Sequence, residues 1–408
     1  SGYPEHGARA VSTHEYDAVV VGGGVSGIIA CLKLNSRGFK TALISRGDPA
    51  CCLSTGCIDV FSRTDSPLDG IRGLPPEHPY SLVGRKGVAD ALSYFLTVMD
   101  EAGLPYEGSP RKNRRILTPI GNQKTTCLVP KTMADADVPG SEHLQVISFK
   151  GLKDFYPSYI TSRFRNSAFS VYDAGVATTL GIAALFDRAA FVDSFIDWLK
   201  RLEIPHDRVA IPAVLGMNDP AGVLEKVSRA IGKKVFEIPT LPPSIPGLRL
   251  FRALKRVLQN RGAHLYWGKG VASVESQGKR IEAVTLATTG RSARVQGRAF
   301  ILATGSFVSG GLFASRDCVR ETVFGLPVFV PGERKDWFNT DFFSDGHAIE
   351  RSGIRVDRTF RPEDCRFENL FVCGSILAGC EIMRNQCGHG LAVATGTAAA
   401  GRCAEELS

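Results

Sequence analysis

An α/β fold built on a Rossmann-like nucleotide-binding sheet, interrupted by an inserted α+β domain, is predicted by three stretches of this sequence. The first is the β-branched run 16–21, followed at once by Gly22-Gly23-Gly24-Val25-Ser26-Gly27 and an apolar, helix-like stretch over 28–34. The second is Arg298-Ala-Phe-Ile-Leu-Ala-Thr-Gly305, an apolar run that ends in a small-residue turn. The third is Glu368-Asn-Leu-Phe-Val-Cys-Gly374-Ser375, followed by Gly388-His389-Gly390 and a helical pattern over 391–406. Each reads as a buried strand running into a glycine turn, which is how open α/β sheets bring ligands to the carboxyl ends of their strands.

Length and composition set the frame for these motifs. At 408 residues the chain exceeds the roughly 300 at which single cores stop growing, so two domains are expected. The net charge of +8 suits an anionic ligand or an anionic membrane surface. The basic residues are scattered rather than clustered, which argues against nucleic acid. Eleven cysteines without zinc or ferredoxin spacing argue against a disulfide framework and for a reducing compartment, the cytoplasm. No apolar run approaches the roughly 20 residues of a membrane helix, because even 168–186 contains Asp173. Any membrane association is therefore expected to be peripheral or through a partner. The polar residues 1–14 read as an N-terminal extension.

The first glycine loop carries the most specific chemistry. Gly22, Gly24 and Gly27 keep the G-x-G-x-x-G spacing between a strand and a helix, with the next strand at 39–44. The first glycine permits the sharp turn, the second lets a pyrophosphate approach the backbone, and the third lets helix and strand pack closely. Ser26 lies in the first turn of the helix, whose amides face the phosphate. About 20 residues further on, a dinucleotide fold usually places an acid against the adenosine ribose. Here Ser45-Arg46-Gly47 stands there, and Asp48 comes three residues late. Either a serine or arginine contact replaces the acid, or the ligand has no adenosine, as in FMN.

The later turns narrow the ligand to a flavin. Ala303-Thr304-Gly305, following the pattern Tyr266-Trp-Gly-Lys-Gly-Val-Ala-Ser-Val, is characteristic of two-dinucleotide-binding-type flavoproteins with a Rossmann-like FAD/NAD(P)-binding domain. In that architecture the Gly374-Ser375 turn meets the ribityl chain. The helix after Gly390 and Leu391 aims its positive end at the ring edge that carries negative charge on reduction. Ser375 stands where an aspartate is common and still offers a hydroxyl. His389 is a candidate donor to flavin or substrate, or an ordinary loop histidine. These motifs divide the chain into a flavin-binding domain at 15–73 and 269–408 and an insertion at 74–268. Within the insertion, helices are expected at 87–102, 188–202 and 221–231, and strands at 144–149, 208–214 and 234–238. Four prolines make 238–247 a rigid loop that opens a helix over 248–261.

Strings along nearly the whole chain resemble one family, the B subunit of the anaerobic glycerol-3-phosphate dehydrogenase complex. They include Ser45-Arg46-Gly47, Ser54-Thr55-Gly56-Cys57-Ile58-Asp59, Leu241-Pro242-Pro243-Ser244 and Gly305-Ser306-Phe307-Val308-Ser309-Gly310-Gly311. The resemblance implies a flavin-binding subunit of a glycerol-3-phosphate:quinone oxidoreductase. Its expected partners are the catalytic subunit, which oxidises glycerol 3-phosphate to dihydroxyacetone phosphate, and an iron–sulfur subunit of the same complex. It places the chain at the cytoplasmic face of the cell membrane, held there through a partner. It also adds Ser54, Thr55 and Gly56 to the candidate flavin contacts. By resemblance the cofactor is FMN, whereas the pyrophosphate-type loop suits FAD. The alternatives are a stand-alone flavin dehydrogenase and a non-catalytic assembly component.

Two further groups have competing readings. Cys51, Cys52 and Cys57, with Cys373, Cys380 and Cys387, are candidates for a redox or cluster site, although buried inert thiols are commoner. Arg316 and Arg320 suit an anionic substrate, or else pair with Asp317 and Glu321 on the surface.

Overall fold

The computed structural model describes residues 12–139, 143–287, 293–341 and 346–408. Its central strand, Ser12–Val21, has parallel partners on both sides, Thr41–Ser45 and Ala293–Leu302. His264–Trp267 extends the sheet beyond the first partner and Leu370–Val372 beyond the second. The amino-terminal half of Ala293–Leu302 also pairs antiparallel with Arg280–Leu286, which pairs with Val271–Gln277. Residues 18–21 are buried on both faces of the sheet. That is why their sequence is a continuous apolar run rather than an alternation.

Four helices cover this sheet. The phosphate-loop helix Val25–Asn35 packs on the closing helix Gly388–Leu407, where Gly396 admits the close approach: a Cβ there would lie 2.5 Å from the Ser26 carbonyl oxygen. The helix Pro79–Glu101 packs on the closing helix, and Ile245–Asn260 packs on the phosphate-loop helix. The insertion expected at 74–268 is therefore too wide. Both of these helices, and the strand His264–Trp267, belong to the core of the flavin-type sheet. Amphipathic periodicity reveals that a helix covers something, but not which of two sheets it covers.

The expected extension at 1–14 also overlaps the first strand, which begins at Ser12. An aromatic ladder lengthens it: the Tyr16 and Tyr266 hydroxyls are 3.0 Å apart, and the His264 and Tyr266 rings stack at 4.5 Å. Residues 1–11 lie outside the described residues.

The insertion has its own apolar core, drawn from residues between Ile116 and Ile245 together with Cys57. Its main sheet runs Lys234–Ile238, Arg208–Pro212, Leu144–Phe149, Ala168–Tyr172, parallel throughout. The expected α+β character is confined to two small antiparallel ribbons, Tyr106–Gly108 with Leu128–Pro130 and Arg114–Leu117 with Gln123–Thr126. The proline-rich loop gives way to helix earlier than expected, at Ile245. Ser244 caps the first turn by accepting from the Gly247 amide, and Pro246 sits where a missing N–H is harmless.

One buried ion pair joins the two cores. Arg249 donates to both carboxylate oxygens of Glu237, at 2.6 and 3.0 Å, and its Nε donates to the Gly216 carbonyl at 2.8 Å. Thr132 and the Leu215 amide complete the shell of Glu237, at 2.7 and 2.9 Å. Both side chains are almost wholly shielded from solvent, so the pair holds only because these partners replace the lost water.

Candidate functional site

A cleft of about 740 Å³ opens at the carboxyl ends of the first, second and Ala293–Leu302 strands. Its floor is the glycine loop, where Gly22 and Gly27 have steric reasons within the protein and Gly24 has none. Gly22 has φ +126°, and a Cβ on it would fall 2.1 Å from the Ala303 carbonyl oxygen. A Cβ on Gly27 would fall 1.9 Å from the Gly22 carbonyl oxygen, so Gly27 faces protein rather than the cleft. Gly24 lines the cleft with nothing within 4 Å of its Cβ position. The first helical bond runs from Ile28 N to Gly24 O, at 3.0 Å, which leaves the amides of residues 25–27 without helical partners. A bare glycine beside amides left free at a helix start has the chemistry that a phosphate cradle requires.

The cleft continues past the cradle to Ser45, Arg46, Asp48 and Lys269. Ser45 donates to the Gly47 carbonyl at 2.8 Å and packs where a Cβ on Gly23 would stand. Arg46 is exposed and lies along the cleft, with its Nε 3.1 Å from the Cβ position of Gly270. The turn brings Asp48 back to the cleft, where it accepts from Trp267 Nε1 at 3.3 Å. Its three-residue delay in sequence therefore does not remove an acid from this end.

The opposite wall is built from Ala303, Thr304, Gly305 and Ser375. Gly305 has φ +74°, and its Cβ position is 2.7 Å from the Ser309 hydroxyl. The Thr304 hydroxyl is buried and has no hydrogen-bond partner among the described residues. The closing helix presents Gly388 and His389 to the cleft. His389 Nδ1 lies 2.9 Å from the Cys57 carbonyl oxygen. A carbonyl only accepts, so Nδ1 carries the proton and Nε2 keeps its lone pair. Burial lowers the histidine's pKa, which favours this neutral form.

Several expected contacts do not line the cleft. Ser54 and Gly56 seat the helix Ile245–Asn260 instead, and Thr55 accepts from the Cys57 amide: Ser244 donates to the Ser54 carbonyl, and a Cβ on Gly56 would meet Pro246 at 2.9 Å. Gly374 makes room for Ser26, and Gly390 for the Asp59 carbonyl oxygen, while Leu391 is wholly buried. These residues shape the cleft from behind. The sequence reading missed Lys269 to Val271 and Thr322 on the wall, although glycines at 268 and 270 were a visible signal. Arg316 and Arg320 are not part of the wall. Glu321 does not pair with either; it accepts backbone amides of Val323, Phe324 and Leu326, and Arg320 stacks on Phe313. Burial pushes the thiols of Cys57 and Cys373 up to about 11 and 12, and that of Cys380 higher still. Among the described residues no three histidine, cysteine or acidic side chains gather as a metal site.

Comparison with known proteins places the chain in a flavin-binding family. Residues 17–391 match the family described as FAD binding domain. The chain is 31% identical to the B subunit of anaerobic glycerol-3-phosphate dehydrogenase from Vibrio vulnificus, over 95% of this chain and 96% of that one. It is 30% identical to the probable B subunit from Halobacterium salinarum, over 96% and 99%. The chain belongs to this B-subunit family. A quinol fumarate reductase chain from E. coli aligns with 97% of this chain and 71% of its own length, at 10% identity and a TM-score of 0.43. As a member of the FAD-binding family, this dehydrogenase homologue is a flavoprotein. Of the two flavins the sequence left open, the family match supports FAD. The cleft runs on beyond the glycine loop to Ser45, Arg46 and Asp48.

Proposed function

We propose that this chain is the flavin-bearing electron-transfer subunit of a glycerol-3-phosphate:quinone oxidoreductase, working beside a separate catalytic subunit and an iron–sulfur subunit. The observation that carries the proposal is the continuous cleft from Asp48 through the bare Gly24 to His389, in a chain related to the dehydrogenase B subunit over nearly its full length. FAD, when bound, supplies a centre that takes up electrons in pairs and passes them on. Gly24 and the amides of residues 25–27 would hold its pyrophosphate. Arg46 and Asp48 would hold the adenosine end, and Thr304 and Ser375 the polar middle.

The protein's own contribution is mostly electrostatic. The start of the closing helix brings positive dipole to the wall that faces developing negative charge. Neutral His389 offers Nε2 as a proton acceptor at the same place. Leu53 and Val308, 60% and 90% exposed at the cleft mouth, make an apolar rim suited to a protein neighbour. Among the described residues no helix is long and apolar enough to cross a membrane. Contact with the cytoplasmic face of the membrane is therefore assigned to a partner.

A second reading, a flavin dehydrogenase with its own small substrate, is favoured by His389, which stands ready to accept a proton within the cleft. Glycerol 3-phosphate added anaerobically to the purified yellow chain separates the two. The relay expects no bleaching until the catalytic subunit is added; bleaching by the chain alone overturns it in favour of the second reading.

A further inference from the structure

Two thiols stand side by side on the cleft wall, and the relay as described does not use them. Cys51 and Cys52 form the middle of the one-turn segment Ala50–Leu53, and both line the cleft while only 6% and 9% exposed. Their turn is held from all sides. Cys52 N donates to Pro49 O at 3.1 Å, and Ser54 donates to Cys51 O through its amide and hydroxyl, at 3.0 and 2.7 Å. Behind it Gly247 lets the helix Ile245–Asn260 press close, for a Cβ there would fall 2.3 Å from Cys51 O.

The two thiols are neighbours in the chain and share one stretch of the cleft wall. The neighbouring thiol, with burial, raises the Cys51 pKa well above its ordinary value. The same neighbour lowers the pKa of Cys52; burial and Asp48 oppose the shift, and Arg252 favours it. A protonated thiol beside a thiolate-prone one is the pairing from which a disulfide forms and to which it returns.

We infer that Cys51 and Cys52 are a redox-active dithiol that exchanges an electron pair with the flavin of the same cleft. The inference rests on the flavin reading of the cleft. In the oxidising direction two S–H bonds break and one S–S bond forms. Two electrons and one proton go to the oxidised flavin, giving its anionic reduced form, and the second proton goes to solvent. In the reverse direction the disulfide takes the pair back and both sulfurs are reprotonated. Adjacent Cα atoms lie about 3.8 Å apart, short of the roughly 4.4–6.8 Å of a relaxed bridge. The strained bridge is easily reduced, which suits a second store of electrons beside the flavin.

The test uses the full-length yellow chain, with bound flavin counted by absorbance, treated with the azo oxidant diamide and then freed of it. Anaerobic titration with dithionite is expected to consume about four reducing equivalents per flavin in this protein and about two in Cys52→Ser. The tryptic peptide spanning residues 47–63 is expected to lose about 2 Da on diamide treatment, the two thiol hydrogens. Its Cys57 should remain open to alkylation after unfolding. Equal consumption of about two equivalents by both proteins overturns the exchange, as does full alkylation of all three cysteines in that peptide. A colourless chain overturns the exchange by removing the flavin, and the peptide mass distinguishes that failure from a dithiol that never closes.

Discussion

The flavin sheet and the sheet of the insertion are both built on parallel strands, yet they finish their carboxyl ends in opposite ways. In the first, three strands end on glycines or small residues, and the space beyond them stays open as the cleft. In the second, the strand Lys234–Ile238 carries Glu237 near its end, and Arg249 of a following helix pairs with it. Strand ends of parallel sheets collect polar groups in both cases. What differs is whether the partner is supplied by the chain or by a cofactor.

The largest effect should come from breaking the self-supplied partner. Arg249→Met leaves Glu237 buried and unpaired, and we expect a loss of about 3–5 kcal/mol in denaturant unfolding. Adding Glu237→Gln should recover much of that loss, and a double variant no more stable than the single would show that the helix packing, not the pair, joins the cores.

Acid probes the flavin region without a mutation. His78 caps the helix Pro79–Glu101 by accepting from Tyr80 N at 3.1 Å, and burial pushes its pKa down to about 4. Between that value and about 6.5 the unfolded chain binds a proton that the folded chain refuses. Stability is therefore complete above that window and falls as pH drops through it, by roughly 3 kcal/mol for this residue. His389, shifted in the same direction by burial, adds to the slope. Unfolding midpoints at pH 7 and pH 4.5 should differ less in His78→Asn, which keeps a capping acceptor that does not titrate.

The supplied partner is tested at Gly24. Gly24→Val projects into the cleft where no protein atom lies, so flavin affinity should fall about tenfold or more, the equivalent of about 1.4 kcal/mol, with the apoprotein melting temperature nearly unchanged. Gly22→Ala is the contrast, because its Cβ meets the Ala303 backbone and should lower both. Undiminished flavin content in Gly24→Val would remove the cradle from this loop. The smallest effect is expected from Thr304→Val, which deletes an unpartnered hydroxyl. Apoprotein stability should hold or rise slightly, while flavin binding weakens by about 1 kcal/mol in a fluorescence titration.

Legibility in the sequence follows how local each constraint is. The glycine loop, the Ala303-Thr304-Gly305 turn and the strands of the insertion are set by neighbours in the chain, and periodicity places them within a residue or two. The wide boundary at 74–268 was not avoidable by pattern alone, because the helices Pro79–Glu101 and Ile245–Asn260 find their sheet only in three dimensions. Ser54, Thr55 and Gly56 are cofactor contacts only by family resemblance. After the single turn at Ala50–Leu53, Ser54 and Gly56 meet Ser244 and Pro246 instead. Asp48 shows the converse, since a turn returns to the cleft a residue that sequence spacing had set aside.

The helix Ile245–Asn260 grips both regions within its first turn and a half. Gly247 bears on the cysteine turn of the cleft wall, and two residues later Arg249 clasps Glu237 of the insertion. Contacts so close on one rigid rod cannot be displaced independently. The insertion is thus geared to the cleft: a force that tilts one against the other is delivered, through about half a helical turn, to the wall that carries Cys51 and Cys52.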